Sequence, residues 1–243
     1  MVDDETTAPG PCLPQERQGK KGRLLEVSVF VFLILPSLLL SFVSVGSGGP
    51  GGLSFALGGT AIVFRDLALV ALVLFFLWRN RESIRRIGWG FRCCWRDVGL
   101  GMLLFVPMFF AAGWVEQAAQ TAGLSPGPKS LPAVLVPHGS GEFMLASVMV
   151  VVVALAEETI FRGYLILRFV EVTGSGVAAV LLSSFIFSLG HGYEGSAGVV
   201  TVGFMGLAFA LVYIWRRSLV APIVMHFMQD FLGIVALPLM GMR

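Results

Sequence analysis

Apolar stretches of bilayer-crossing length recur along this chain, and they restrict its fold more than any other feature: Leu24–Val45, Leu53–Trp78, Val98–Trp114, Phe143–Phe169, Gly176–Leu189, Val199–Trp215 and Leu219–Met240. A spanning helix needs about 20 predominantly apolar residues. Inside lipid its backbone polar groups must be satisfied within the segment itself. The third and fifth stretches are short, and the fourth is expected to project past the bilayer, because Arg162 and Arg168 continue it as one amphipathic helix. An eighth helix would fit in Leu131–Gly141. The fold class is therefore all-α, a polytopic integral membrane protein with about seven to eight transmembrane helices.

The composition agrees. The chain of 243 residues is 56% hydrophobic and 13% charged, against about 45–50% and about 25% in soluble domains. A net charge of +2 is too small to suggest nucleic acid. Residues 1–23 are polar, proline-bearing and basic at their end (Arg17, Lys20, Lys21, Arg23), and read as a disordered cytoplasmic tail before a membrane domain covering 24–243. The apolar run that follows lacks a small-residue cleavage site and reads as an anchor rather than a removed signal peptide. Cys12, Cys93 and Cys94 form neither a disulfide framework nor a zinc spacing. Basic residues gather before the first span, after the second (Arg79 to Arg96), at Arg162 and Arg168, and at Arg216 and Arg217. By the positive-inside rule the amino terminus is cytoplasmic. Trp78, Trp95, Trp114 and Trp215 stand near span ends, as interfacial anchors do.

Against this apolar background, Glu157-Glu158-Thr-Ile-Phe-Arg162 stands out at the end of the run Val148–Leu155. Ionisable groups at membrane depth are costly unless paired or facing a polar cavity, and by default they mark function. Glu158 and Arg162 are an i,i+4 pair on one helix face. Glu157 is rotated about 100° away, so one carboxylate can be held while the other stays free. Arg65-Asp66 interrupts the second span and reads as a self-neutralised pair facing protein, or as a break between half-helices. His138, in a Pro/Gly loop, reads as a solvated loop residue.

His191 closes Phe187-Ser-Leu-Gly-His191, and His226 and Asp230 form a second i,i+4 pair. Glu157 and His191 each lie roughly 20–25 Å along their helices from the turn around Glu171–Ser175, so antiparallel packing brings them to similar depth. His226, ten residues from Arg216, looks shallow for the same site unless helix tilt or extension closes the gap. A carboxylate with an imidazole can activate water. A second imidazole with a polar neighbour can stabilise an oxyanion. These parts suit peptide-bond hydrolysis in a water-accessible membrane cavity.

Three motifs in order, Glu-Glu-x-x-x-Arg (Glu157, Glu158, Arg162), Phe-x-x-x-His (Phe187, His191) and His-x-x-x-Asp (His226, Asp230), resemble those of the CAAX-prenyl-protease and bacteriocin-processing family of intramembrane proteases. They cover roughly 148–240, the catalytic core. The resemblance implies helices enclosing a polar catalytic cavity open to membrane and cytosol. It implies that Glu157 and His191 activate water and that His226 and Asp230 form the oxyanion site, with Glu158, Arg162 and Phe187 in support. Where some members have Asn, this chain has Asp230; an ionised Asp cannot donate a hydrogen bond, so Asp230 is expected to orient His226. A glutamate-type mechanism with no cofactor is expected. Were zinc used, Glu157, His191 and His226 would be its ligands.

The expected function is an intramembrane endopeptidase acting on a membrane-associated or lipidated peptide or protein, in the plasma or inner membrane. Its expected partners are that substrate and the lipid bilayer, with no nucleic acid; the sequence assigns no oligomeric state. The alternative is a non-enzymatic bacteriocin self-immunity or scaffold protein of the same fold. A proton-coupled transporter would more readily show an internal repeat, and none is visible.

Overall fold

The computed structural model describes residues 19–43, 54–90, 94–127 and 135–241. Among them every regular element is helical. We number the helices α1 (Lys20–Val43), α2 (Phe55–Arg79), α3 (Cys94–Thr121), α4 (Gly139–Thr173), α5 (Gly176–Leu189), α6 (Gly195–Arg216) and α7 (Val220–Leu239). By length and composition, six are long and apolar enough to cross a membrane, and α5 is a shorter apolar helix. The protein is a multi-pass all-α membrane protein.

The boundaries differ from the sequence expectation where polarity misleads. α3 runs through Glu116, Gln117 and Gln120 to Thr121, because a helix continues by its own hydrogen bonds after leaving the apolar layer. Lys20–Arg23 form the first turn of α1 and not the end of a tail, while residues 1–18 lie outside the described residues. Arg65-Asp66 does not break α2, which is continuous. The proposed eighth helix falls partly outside the described residues, and 139–141 belong to α4. The α4–α5 connection is shorter than expected. Gly174 (φ 75°) ends α4, and Ser175 caps α5 by accepting the Ala178 N–H at 3.2 Å. The backbone N–H of His138, which is exposed, bonds Glu142 and ties down the first turn of α4.

Two stretches are wound as π-helix, Glu158–Leu165 in α4 and Phe231–Ala236 in α7. All eight residues of the first are buried. The expected amphipathic face is absent here, since Arg162 and Arg168 are both buried by partners on other elements. Arg168 reaches Glu26 of α1 (2.7 Å), Glu82 and Glu171. Glu26 also accepts from Tyr164 at 2.8 Å, from Arg79 at 2.8 Å and from Asn80 at 2.9 Å. This network joins α1, the end of α2 and α4 around an aromatic cluster of Phe30, Phe76 and Tyr164. Outer faces carry exposed Leu33, Phe64, Leu103, Phe110 and Phe185, and Trp78, Trp95, Trp114 and Trp215 are exposed near helix ends. That arrangement suits lipid outside and headgroups at the rim.

Candidate active site

The long α4 carries Glu157 and Glu158 inward, and the question of His226's depth is settled by a contact below them. The turn from α6 to α7 docks on the loop after α2, where the Leu219 N–H donates to the Gly88 carbonyl at 3.2 Å. The same loop presses on α4 at Gly163, where a Cβ would meet the Ile87 carbonyl oxygen at 2.8 Å and the Leu219 side chain at 3.5 Å. From that junction Glu158 is five residues away along α4 and His226 seven along α7. At about 1.5 Å per residue both rise about 8–10 Å. The histidine that looked shallow thus reaches the carboxylates.

Glu158 is closed off by its neighbours. Its Oε1 lies 2.9 Å from Nη1 of Arg162 and accepts from His226 Nδ1 at 2.8 Å. Arg162 lies over the Phe187 ring (4.2 Å) and beside Phe209 (5.2 Å), and donates to the Gly206 carbonyl at 3.3 Å. Such a sandwich replaces hydration of the buried guanidinium. Glu157 is open by contrast. Its side chain is 16% exposed and lines a cavity of about 360 Å³. Glu157 Oε1 is 3.9 Å from Arg65, and Oε2 is 3.8 Å from His226 Nε2, both beyond hydrogen-bond length. Glu158 thus has its partners at 2.8–2.9 Å, and Glu157 its own at 3.8–3.9 Å.

His226 directs Nδ1 at Glu158, which leaves Nε2 facing the cavity, 3.4 Å from Asp230 Oδ2. His191 follows the end of α5, with Nδ1 3.1 Å from the Phe187 carbonyl. A carbonyl only accepts, so Nδ1 carries the proton and Nε2 keeps its lone pair. The His191 turn is pinned to α1: Ser41 Oγ accepts the Gly192 N–H at 3.2 Å and lies 2.8 Å from the Leu189 carbonyl. A Cβ at Gly192 would strike the Phe42 ring at 2.6 Å.

Glu157, Phe187, His191, His226 and Asp230 all line the first cavity, and Glu158 and Arg162 stand behind them. A second cavity of about 350 Å³ shares Phe187, His191, Tyr193, His226 and Asp230, and extends to Glu116, Glu194 and Gln229. Sequence reasoning missed Tyr193, which lines both cavities, and the inward face of α2, where Arg65 and Asp66 line the first. An ionisable pair in mid-span was the available signal for the latter. Among the described residues, no three His, Cys, Asp or Glu side chains are gathered so as to hold a metal ion.

The family model described as "Type II CAAX prenyl endopeptidase Rce1-like" matches residues 139–232, which contain all three motifs. No curated protein and no solved structure matches the chain.

Proposed function

We propose that this chain, whose residues 139–232 match the type II CAAX prenyl endopeptidase model, is a CAAX-type intramembrane protease that hydrolyses a peptide bond of a membrane-associated or lipidated peptide with water activated by Glu157 and His191. The observation that carries this is the contrast between the paired carboxylates: Oε1 of Glu158 is held by both Arg162 and His226, while Glu157 lines the cavity with neither oxygen in a hydrogen bond and its nearest ionic partners at 3.8–3.9 Å. A carboxylate without a committed partner can take a proton.

In the step we propose, the water oxygen attacks the scissile carbonyl carbon and its proton passes to Glu157, with the Nε2 lone pair of His191 orienting the water. The carbonyl oxygen becomes an oxyanion beside His226, which as an imidazolium between the Glu158 and Asp230 carboxylates keeps Nδ1–H on Glu158 and offers Nε2–H to the oxyanion. Collapse breaks the C–N bond, and Glu157 returns the proton to the leaving amine. Asp230 shares Nε2 of His226 and orients the ring. No step is routed through a metal. The mechanism supported by the donor arrangement is glutamate-type.

The first cavity's aliphatic wall, including Ile34, Leu38, Leu69, Met149 and Ile160, suits an apolar or lipid-modified segment. Basic residues at Lys20, Lys21, Arg23 and Arg79 support a cytoplasmic amino terminus. The test is cleavage of quenched-fluorescent membrane peptides, prenylated and unprenylated, by purified wild-type protein and Glu157→Gln, with and without chelator. Cleavage that disappears in Glu157→Gln and persists in chelator is the expected result. Cleavage abolished by chelator and restored by zinc would overturn the metal-free mechanism. Equal signals from wild type and Glu157→Gln would overturn the assignment of Glu157.

A further inference from the structure

Asp66 and Arg65 are neighbours in the middle of α2, a helix whose outer faces are apolar and exposed. Asp66 is buried. Its Oδ1 accepts from Arg65 Nε at 2.8 Å and lies 2.8 Å from Nη2, while its Oδ2 is buried without a hydrogen-bond partner. A pair that only neutralised itself could face any protein surface. This one lines the first cavity together with Glu157 and His226, and Nη2 of Arg65 stops 3.9 Å short of Glu157.

We propose that Arg65, held in place by Asp66, is the positioning residue for Glu157. The inference rests on the protease reading above. Glu157 stands between Arg65 on α2 and His226 on α7, at 3.9 and 3.8 Å. Both gaps exceed hydrogen-bond length, so neither neighbour consumes the oxygen that must accept a proton. At these distances the Coulomb attraction of a fixed guanidinium still confines the carboxylate, and more strongly than in bulk water. Arg162 illustrates the alternative, in which close contact at 2.9 Å, reinforced by His226, closes Glu158. The two arginines therefore divide the work: Arg162 locks the structural carboxylate, and Arg65 poises the reactive one. Asp66 keeps the long, half-exposed Arg65 side chain from swinging into the open cavity.

The test separates charge neutralisation from positioning. The double variant Arg65→Met/Asp66→Asn removes both charges and so leaves no unpaired ion in α2. Arg65→Gln keeps a donor for Asp66 but removes the cation facing Glu157, and covers the case in which the double variant does not fold. Arg65→Lys keeps the charge. Each is purified in detergent, checked for a wild-type unfolding temperature, and assayed on the quenched-fluorescent membrane peptide that wild type cleaves fastest, with Glu157→Gln alongside. Expected is a fall of about 10²-fold in kcat with KM within about twofold for the double variant and Arg65→Gln, the size of effect that misplacing a reacting group produces. Arg65→Lys should recover to within about tenfold of wild type, because it restores the charge without the planar fork. A folded double variant or Arg65→Gln with wild-type kcat, or a loss carried only in KM, overturns the proposal while an inactive Glu157→Gln leaves the protease reading intact. Wild type that cleaves no reporter, or Glu157→Gln as active as wild type, overturns that reading and this proposal with it.

Discussion

Glu158 and His226, 68 residues apart in the chain, meet at 2.8 Å between Oε1 and Nδ1. That bond links α4 to α7 and fixes which face of the imidazole looks into the cavity. The same oxygen is 2.9 Å from Arg162, so Glu158 couples the arginine and the histidine through one atom.

The two adjacent glutamates should therefore respond differently to the same substitution. Glu158→Gln leaves Arg162 buried without a counter-charge, and breaking a buried pair in this way costs about 3–5 kcal/mol. Its unfolding temperature in detergent should drop. Glu157→Gln removes no close partner and should unfold at the wild-type temperature while losing cleavage. Thermal unfolding and reporter kinetics on both variants check the contrast; equal unfolding temperatures would contradict it.

Phe187 should act through its ring, which lies 4.2 Å from the Arg162 guanidinium and packs on the His191 and His226 rings with centroids 5.0 and 5.8 Å away. Phe187→Leu keeps an apolar side chain and removes the π face. A loss of about 0.5–2 kcal/mol is expected from the cation–π contact, together with reduced cleavage. Phe187→Tyr, keeping the ring, should retain more stability than Phe187→Leu in the same melt.

The network around Glu26 should hold α1 against the catalytic helix. Glu26 accepts from Tyr164 and Arg168 of α4 and from Arg79 and Asn80 at the end of α2. Arg168 retains Glu82 and Glu171 when Glu26 is lost, which limits the damage. Glu26→Gln should cost about 1.5–3 kcal/mol, the range for a hydrogen bond to a charged group. Because α1 also supplies Ser41 to the His191 turn, cleavage should fall with it. Limited proteolysis near α1 and reporter kinetics read both effects.

Gly163 and Gly113 offer a paired test of the π-helical segment's packing. A methyl group at Gly163 would sit 2.8 Å from the Ile87 carbonyl oxygen, whereas at Gly113 it would meet nothing within 4 Å. Gly163→Ala should lose about 1–3 kcal/mol by overpacking and disturb Glu158 above it. Gly113→Ala should be neutral or stabilising by up to about 1 kcal/mol, since Ala restricts the unfolded chain. Chemical or thermal denaturation of the two variants distinguishes them.

Much of the protein was legible along one dimension. Hydropathy over about 20 residues is a local property, so the apolar stretches and their helical state follow from the sequence alone. So do the i,i+4 pairs Glu158–Arg162 and His226–Asp230, because helical geometry places such side chains together whatever surrounds them. Charge at membrane depth identified Glu157, His191 and His226 as candidates before any contact was known.

Other properties were decided only in three dimensions. Whether a charged residue is solvated, paired or catalytic depends on partners far away in sequence. Arg168 is buried by Glu26, 142 residues earlier, and Arg65 lies 3.9 Å from Glu157 besides neutralising Asp66. The depth of His226 depended on the docking of Leu219 and Ile87 at Gly163, a contact between three separate segments. The π winding of Glu158–Leu165 has no signature in hydropathy. The sequence determined which groups lie on which helix because helical periodicity is local; the tertiary structure decided which carboxylate is free because burial and pairing are set by the whole chain.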